Sequence, residues 1–292
     1  MMTLKQILIT EPSPEYELID SGDGKKLERY GRFVFSRPDP QVLWSRCLPV
    51  SVWRNADLEF VRKGKETKWN VAAHVPKEWP IHFCGVTMLI RPTSFKHTGV
   101  FPEQEGNWQW IRECIRAVKQ PVRVLNLFGY TGGATLVAAL AGAEVTHVDG
   151  SKAAIAWARE NAALSGLSEA PIRWMLDDVK VFLKKELKRG KRYDGIIMDP
   201  PTFGYGPKKE LWKIEEDFME LLALTRQILT DTPLFVLASG YASGYSPVTY
   251  GNCFEITFSD LGGSITAGEL ALRESSSGRL LPAGIFARWS RE

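Results

Sequence analysis

The segment VLNLFGYTGG, from Val124 to Gly133, is the clearest indication of the fold class. Its first residues form an apolar run, and three glycines follow where an alanine- and leucine-rich helical pattern begins. We predict a buried strand over 122–127 and a helix over 131–141, joined by a tight turn. A strand that leads directly into a helix is typical of a βαβ unit in a parallel sheet.

The same alternation continues to the end of the chain. Further strands are predicted over 144–148, 172–176, 193–198, 234–238, 265–273 and 280–289. Helices are predicted from Ser151 or Lys152 to 164, and over 178–188, 213–229 and 247–261. The last two strands, joined through SSSGR, predict an antiparallel hairpin that closes the sheet edge. The expected fold is α/β, with a seven-stranded, mostly parallel sheet.

The chain has a different character before Pro121. Aromatic and β-branched residues mix with prolines, glycines and short turns, as in YGRFVFSRPDP and LEFVRKGKETKWNVAAHV. This composition predicts short strands and hairpins. We therefore predict two domains, a small β-rich domain over 1–105 and the α/β domain over 106–292.

Composition narrows the class of protein but leaves its substrate open. The chain has 292 residues, 44% of them hydrophobic, and a net charge of +3, too weak to indicate a nucleic-acid partner by itself. No apolar run approaches the roughly 20 residues that span a bilayer, and the first apolar stretch is too short for a signal peptide. The four cysteines lie far apart and form no metal-ligand pair, which predicts reduced thiols in a cytoplasmic protein without a metal.

Six basic residues cluster at the end of the helix predicted over 178–188. They are Lys184, Lys185, Lys188, Arg189, Lys191 and Arg192. Cations at a helix carboxyl end offset its dipole, so a solvated helix end is the favoured interpretation. Contact with phosphates is the alternative.

The glycine turn is suited to a ligand that approaches the backbone closely. Glycine permits this approach because it has no Cβ, and the following helix directs unpaired N–H groups toward the ligand. Tyr130 and Thr131 add polar groups. The dinucleotide pattern G-x-G-x-x-G is absent, which disfavours a pyrophosphate and is compatible with S-adenosylmethionine, a ligand without phosphates. The alternative is a turn that only packs helix on strand.

Acidic residues end the next two predicted strands. Asp149, in VTHVDGS, lies about 20 residues beyond the glycine turn, where a carboxylate can accept both hydroxyls of a ribose. Asp178 or its neighbour Asp177, in WMLDDV, can accept from an adenine amino group, with the Val179 N–H donating to the ring. Alternatively, Asp149 caps the helix near Ser151, and one acid of the later pair is an N-cap.

The sharpest motif is MDPPTFG, from Met198 to Gly204, directly after the fourth predicted strand. Open α/β sheets bind ligands beyond the carboxyl ends of their strands. Two prolines fix the backbone there in a rigid, extended turn, which can hold the Asp199 carboxylate against an amino group or base edge. Phe203 can stack on a flat substrate. The alternative is an ordinary proline-rich loop.

Together these motifs resemble the class I S-adenosylmethionine-dependent methyltransferases. VLNLFGYTGG, VTHVDGSKAAIAWARENAALSGL, DDV and DPPTFG are similar to the subgroup of bacterial ribosomal RNA methyltransferases that modify cytosine C5 or guanine in the large subunit. KHTGVFPEQEGNW, from Lys96 to Trp108, resembles the T-G-x-F-x-x-Q stretch of that subgroup. The resemblance covers Lys96 to the end of the chain, and weakly the β-rich stretch before it. It implies a Rossmann-like catalytic domain.

The resemblance also implies roles for individual residues. The acceptor site would be formed by Asp199, Pro200, Pro201 and Phe203. The cofactor would be held by Phe101, Gln104, Asn126, Phe128, Gly129, Tyr130, Thr131, Gly132, Asp149, Gly150, Ser151, Asp177, Asp178, Val179 and Asp199. RNA is the favoured acceptor, with no metal or membrane expected and the oligomeric state open.

Two departures from the resemblance bear on the chemistry. Asn126 stands where many class I enzymes have an acid, which should change one hydrogen bond. The cytosine-C5 enzymes carry a nucleophilic cysteine after their fifth strand, where this chain has Val236–Gly240 without one. A nitrogen acceptor is therefore favoured, because cytosine C5 is a poor nucleophile until a thiolate adds to C6.

Three other functions remain open from the sequence alone. The chain could be a methyltransferase for a small molecule or a protein side chain, or a non-catalytic S-adenosylmethionine-binding protein associated with RNA. A nicotinamide-dependent oxidoreductase is disfavoured by the missing G-x-G-x-x-G.

Overall fold

The computed structural model describes residues 2–63, 66–93, 96–241 and 244–291. These residues form two compact units. The first contains Met1–Leu8, Asn107–Glu269 and Gly284–Glu292, and the second contains Ile9–Gly106 and Leu270–Ala283. The division predicted after residue 105 therefore needs correction in two segments. Residues 1–8 belong to the first unit, and 270–283 belong to the second, where Glu274 accepts a hydrogen bond from the Ser21 hydroxyl (2.5 Å).

The strands have the following bounds in chain order. They are β1 Met2–Thr10, β2 Tyr16–Gly22, β3 Lys25–Tyr30, β4 Phe33–Pro38, β5 Leu58–Lys63, β6 Glu66–Val71, β7 Trp79–Phe83, β8 Val86–Ile90, β9 Arg123–Leu127, β10 Glu144–Asp149, β11 Ile172–Leu176, β12 Gly195–Met198, β13 Phe203–Tyr205, β14 Leu211–Lys213, β15 Phe235–Gly240, β16 Ser264–Arg273 and β17 Leu280–Ser290. The α-helices are α1 Val50–Arg54, α2 Glu105–Arg116, α3 Gly133–Leu140, α4 Lys152–Leu164, α5 Val179–Lys188, α6 Ile214–Ile228 and α7 Pro247–Phe258.

The large sheet runs in the order β1-β16-β17-β15-β12-β9-β10-β11. Strands β15, β12, β9, β10 and β11 pair in parallel, and β17 pairs antiparallel with β15. The α/β prediction with a mostly parallel sheet is confirmed, but the sheet has eight strands and not seven. The added strand is β1, for which Gly268 makes room, since a Cβ there would lie 1.8 Å from the Gln6 carbonyl oxygen.

Most element boundaries agree with the sequence prediction to within two residues. The helix predicted over 131–141 begins at Gly133, because the preceding residues form the turn. The helix predicted over 247–261 ends at Phe258 and continues as a short 3-10 helix over Ser259–Leu261. Helix α2 and the β13–β14 hairpin were not predicted.

The core of the first unit explains why its strands are continuous apolar runs. All residues of β12 and β15 are buried, as expected for parallel strands covered on both faces. Helices α5, α6 and α7 contribute Phe182, Leu221 and Phe254 to the core around these strands. No helix in the described ranges is long and apolar enough to cross a membrane.

The second unit confirms the prediction of a β-rich N-terminal region. It contains a five-stranded sheet in the order β2-β3-β4-β5-β6 and a separate β7–β8 pair. Its core is aromatic, with Tyr16, Tyr30 and Phe35 almost fully buried. The Tyr16 hydroxyl donates to Glu28 (2.8 Å), whose other carboxylate oxygen accepts from Arg37 (2.6 Å). Each buried charge in this network is thus paired.

Candidate active site

The carboxyl ends of four parallel strands bring most of the predicted site residues to one edge of the sheet. The glycine turn follows β9, Asp149 ends β10, Asp177 follows β11 and Asp199 follows β12. Because β9, β10, β11 and β12 are adjacent in the sheet, these segments are neighbours although they span more than 70 residues of sequence. Phe101 and Gln104 belong to the second unit, and their cofactor contacts stay a prediction.

The glycine turn has an unusual backbone. Phe128 and Tyr130 have positive φ angles of 57° and 48°, and Gly132 has a φ of 88°. Non-glycine residues in this region carry strain, and such strain concentrates at ligand-binding sites. The turn is held by its own backbone hydrogen bonds, since the Gly129 N–H donates to the Val148 carbonyl (3.1 Å) and the Gly132 N–H donates to the Gly129 carbonyl (2.9 Å).

Close packing fixes the glycines of this turn. A Cβ on Gly129 would lie 2.4 Å from the His147 ring, and one on Gly133 would lie 2.3 Å from the Trp108 ring. At Gly132 an added Cβ would meet the Ala158 methyl group at 3.1 Å. These contacts pack the turn against β10, α2 and α4, which agrees with the alternative that the turn packs helix on strand.

Asn126 belongs to a buried polar chain beneath the turn. Its amide nitrogen donates to the Thr135 hydroxyl (2.8 Å), which in turn bonds the Nδ1 atom of His147 (2.9 Å). Burial lowers the pKa of His147 to about 3, so its imidazole is neutral at physiological pH. The Asn126 side chain thus connects β9 to α3 and β10.

Asp149 holds the turn from the end of β10. One carboxylate oxygen accepts from the Tyr130 N–H (2.9 Å) and the other from the Ser151 N–H (2.7 Å). Burial raises the pKa of Asp149, while these two N–H groups oppose the shift. The cap of α4 is Ser151, whose hydroxyl accepts from the Ala154 N–H (3.2 Å), so the alternative that Asp149 is the cap is wrong. A carboxylate oxygen can accept a second hydrogen bond, which leaves capacity for a ligand.

Of the two acids after β11, Asp178 is the N-cap of α5. Its Oδ1 atom accepts from the N–H groups of Lys180 and Val181, both at 3.0 Å. Asp177 accepts from the Asp178 N–H (3.1 Å) and pairs with Lys185 (2.6 Å). Val179 is the first residue of α5, where N–H groups have no intrahelical acceptor.

The loop after β12 is fixed by hydrogen bonds to both of its ends. The Asp199 N–H donates to the Leu127 carbonyl (3.4 Å), and the Trp212 indole donates to the Pro201 carbonyl (2.6 Å). Pro200 is buried, while the Phe203 side chain is 54% exposed. Burial raises the pKa of Asp199 to about 6, opposed by a hydrogen bond from the Ser239 hydroxyl. The loop thus combines a carboxyl whose pKa is raised by burial with an exposed aromatic ring.

Two residues near Asp199 were missed by the sequence analysis. Ser239 lies at the end of β15, the strand beside β12. It belongs to the segment in which the cytosine-C5 enzymes carry their cysteine. Tyr250, on α7, approaches so closely that a Cβ on Gly240 would lie 2.4 Å from its hydroxyl. Burial and the neighbouring Asp199 raise the pKa of Tyr250, which keeps the phenol protonated. Ser239 could have been identified from the sequence as a hydroxyl residue at the end of the strand that follows the Asp199 strand in the predicted α/β order.

Three of the six residues in the basic cluster at the end of α5 pair with acids. Lys184 pairs with Glu220 (2.7 Å), and Arg189 pairs with Glu186 (2.9 Å). Lys185 holds Asp177, as described above. These contacts support the interpretation as a solvated helix end.

Comparison with protein families identifies the family of this chain. The chain matches the S-adenosylmethionine-dependent methyltransferases over residues 59–236, more than half of its length. The chain belongs to this family. The cofactor predicted from the glycine turn and the acidic strand ends, S-adenosylmethionine, is the cofactor of the family. Among the described residues, no group of three or more His, Cys, Asp or Glu side chains is placed to hold a metal ion.

Similar proteins support the assignment. The crystal structure of a SAM-dependent methyltransferase from Agrobacterium tumefaciens is 40% identical, with a TM-score of 0.96, and the alignment covers 100% of this chain and 95% of that one. Ribosomal RNA large subunit methyltransferase I of Erwinia tasmaniensis is 29% identical over 72% of this chain and 56% of its own length. Ribosomal RNA large subunit methyltransferase K/L of Shewanella baltica is 33% identical over 53% of this chain and 21% of its own. The chain thus spans about half or less of these curated relatives.

The residues at the strand ends fit the cofactor. The half-buried glycine turn lies beside the Asp149 carboxylate, and the N-terminus of α5 lies at the next strand end. The carboxylate can accept from the hydroxyls of a ribose, and the first N–H groups of α5 can donate to an adenine ring.

Proposed function

We propose that this protein transfers a methyl group from S-adenosylmethionine to a nucleobase nitrogen in RNA, with ribosomal RNA as the favoured substrate. The observation that carries the proposal is the acceptor loop. It places the half-buried Asp199 and the exposed ring of Phe203 four residues apart, at the same sheet edge as the proposed cofactor-binding turn. The names of the curated relatives, ribosomal RNA large subunit methyltransferases I and K/L, favour RNA as the acceptor.

The cofactor is assigned to the turn and the next two strand ends. Residues 128–132 would hold its methionine part and Asp149 its ribose, with Gly150 and Ser151 beside it. Asp178 and Val179 would bind the adenine, and Asp177 would support them through its bond to the Asp178 N–H. Phe101 and Gln104 are proposed as further contacts. When bound, S-adenosylmethionine supplies an electrophilic methyl group on a sulfonium.

The acceptor loop would position the nucleophile. The Asp199 carboxylate and the Pro200 carbonyl can accept hydrogen bonds from an amino group and so fix the direction of the nitrogen lone pair. The Phe203 ring would stack on one face of the base. In-line methyl transfer depends chiefly on such alignment, so a dedicated general base is not needed.

The cysteines argue against a carbon acceptor. Methylation at cytosine C5 needs a thiolate, which must be accessible and ionised. Burial raises the pKa of Cys114 to about 11 and also raises the pKa of Cys253, which lies three residues from Tyr250 on α7. Nitrogen is therefore the favoured acceptor, and a cytoplasmic location is proposed because the curated relatives are ribosomal RNA methyltransferases.

The proposal is tested by comparing RNA nucleosides from a strain lacking the gene with those of its parent. We expect one methylated nucleoside to disappear from the ribosomal RNA of the deletion strain and to return with the wild-type gene. The gene for Phe203→Ala should restore it incompletely, because base–aromatic stacking contributes about 1–3 kcal/mol. Identical nucleoside profiles, measured by mass spectrometry, would favour a small molecule or a protein as the acceptor.

A further inference from the structure

The β13–β14 hairpin has two chemically different faces. Its register pairs Phe203 with Lys213, Gly204 with Trp212 and Tyr205 with Leu211. Side chains alternate along a strand, so Phe203, Tyr205, Leu211 and Lys213 share the outer face, while Trp212 lies on the inner face. Trp212 is buried and packs against the Phe128 ring at a centroid distance of 5.0 Å.

The outer face is apolar and open to solvent. Tyr205 is 65% exposed and Leu211 is 46% exposed, in addition to the exposed ring of Phe203. The rings of Phe203 and Tyr205 lie edge to face with centroids 5.3 Å apart. Exposure of adjacent aromatic rings to water is energetically unfavourable, and exposed apolar patches of this kind mark binding surfaces.

The tip of the hairpin adds positive charge. Lys208 and Lys209 are both exposed, and neither makes an ion pair within the described ranges. The nearby acid Glu210 is turned back into the tip, where its carboxylate accepts from the Lys208 N–H (2.8 Å). An aromatic face that ends in two unpaired cations complements a nucleic-acid strand, in which flat bases are joined through anionic phosphates.

The hairpin is anchored to the predicted cofactor and acceptor segments. A Cβ on Gly206 would lie 3.2 Å from the Asp178 side chain, and one on Gly150 would lie 3.5 Å from the Gly206 Cα. Together with the Trp212–Pro201 hydrogen bond, these contacts hold the face in a fixed position directly after the acceptor loop. A fixed surface there can align whatever adjoins the acceptor group.

We propose that the outer face of this hairpin binds the single-stranded RNA segment that flanks the acceptor base. Phe203 contacts the acceptor, Tyr205 stacks on a neighbouring base beside Leu211, and Lys208 and Lys209 contact the phosphates. Bases must be unpaired to stack on aromatic side chains, and basic residues follow the backbone between them. This inference rests on the proposed function and assigns it a substrate class, unpaired RNA.

The test measures binding of an end-labelled RNA of about 12 nucleotides, without self-complementarity, by fluorescence anisotropy. Tyr205→Ala should weaken binding about tenfold, equivalent to about 1.4 kcal/mol, and Tyr205→Phe should retain the wild-type affinity. The double variant Lys208→Gln/Lys209→Gln should reduce the slope of log affinity against log salt by about 1.4, since each phosphate contact on a single strand contributes about 0.7.

Matched controls carry the same changes elsewhere on the first unit. Ile256→Ala removes an apolar side chain that is 76% exposed on α7, and Lys188→Gln/Lys191→Gln removes two exposed lysines near the end of α5. Both should leave RNA affinity unchanged, and every hairpin variant should keep its melting temperature and its affinity for S-adenosylmethionine.

The inference is overturned if wild-type protein binds no RNA, if it binds a duplex of the same sequence equally well, or if the hairpin variants bind like wild type. The inference is also overturned if the enzyme methylates a protein and the hairpin variants do not change RNA affinity. That result would assign the hairpin face to a protein substrate. The nucleoside comparison separates the two proposals. RNA methylation with unaffected hairpin variants defeats this inference alone, whereas hairpin-dependent RNA binding without RNA methylation defeats the proposed function alone.

Discussion

Asp149 and Asp199 both end parallel strands, but their surroundings suit them to different tasks. Asp149 accepts two backbone N–H groups, which favour its carboxylate form and fix its orientation. Asp199 has less compensation for its burial, so its pKa rises to about 6. The first is thereby suited to the proposed task of accepting hydroxyl groups, and the second is a carboxyl whose pKa is raised by burial.

Removal of the first carboxylate should affect the cofactor. Asp149→Ala should weaken the binding of S-adenosylmethionine by about 1–3 kcal/mol, the cost of losing a charged hydrogen-bond partner. Glu144→Ala, at the exposed opposite end of the same strand, should have no effect. Titration calorimetry checks both variants, and an unchanged affinity in folded Asp149→Ala would show that the cofactor site lies elsewhere.

The glycine turn is the element in which packing and binding depend on the same residues. Gly129→Ala forces a methyl group into the His147 ring, so we expect a loss of unfolding free energy of about 1–3 kcal/mol and weaker cofactor binding. Gly142→Ala is the control, since that glycine has a φ of 103° and no neighbour within 4 Å. It should cost about 1 kcal/mol of stability through backbone strain. Equal cofactor affinity in both variants would argue against the turn as the binding element.

Long periodic elements could be predicted from the sequence, whereas short ones could not. Helix α4 and strands β10 and β11 have clear apolar patterns and end near the predicted residues. Strands β13 and β14 have three residues each, too few for an alternating pattern to show. Their pairing depends on Trp212, which packs on a ring 84 positions earlier in the sequence, and no local pattern contains that information.

Across the whole chain, the strand ends with candidate site residues could be predicted from the sequence. The residues that pack beside those strand ends could not all be predicted. The glycine turn after β9 and the acids at the ends of β10, β11 and β12 could be predicted together because parallel strands align their carboxyl ends. Ser239 and Tyr250 reach Asp199 through the positions of β15 and α7, which depend on the complete sheet order. The eighth strand was missed for a similar reason, since β1 pairs with a strand more than 250 residues away.

Asp199 is proposed to align an RNA nitrogen for methylation, and the rate of methyl transfer by the variant Asp199→Ala measures this role. The rate is measured with tritium-labelled S-adenosylmethionine and ribosomal RNA, on preparations whose melting temperature and cofactor affinity are also determined. Transfer should fall at least about 100-fold, because alignment is lost while the cofactor contacts remain. Wild-type transfer should rise as the pH increases through about 6, since Asp199 then becomes the accepting carboxylate. Full transfer by folded Asp199→Ala would contradict the account.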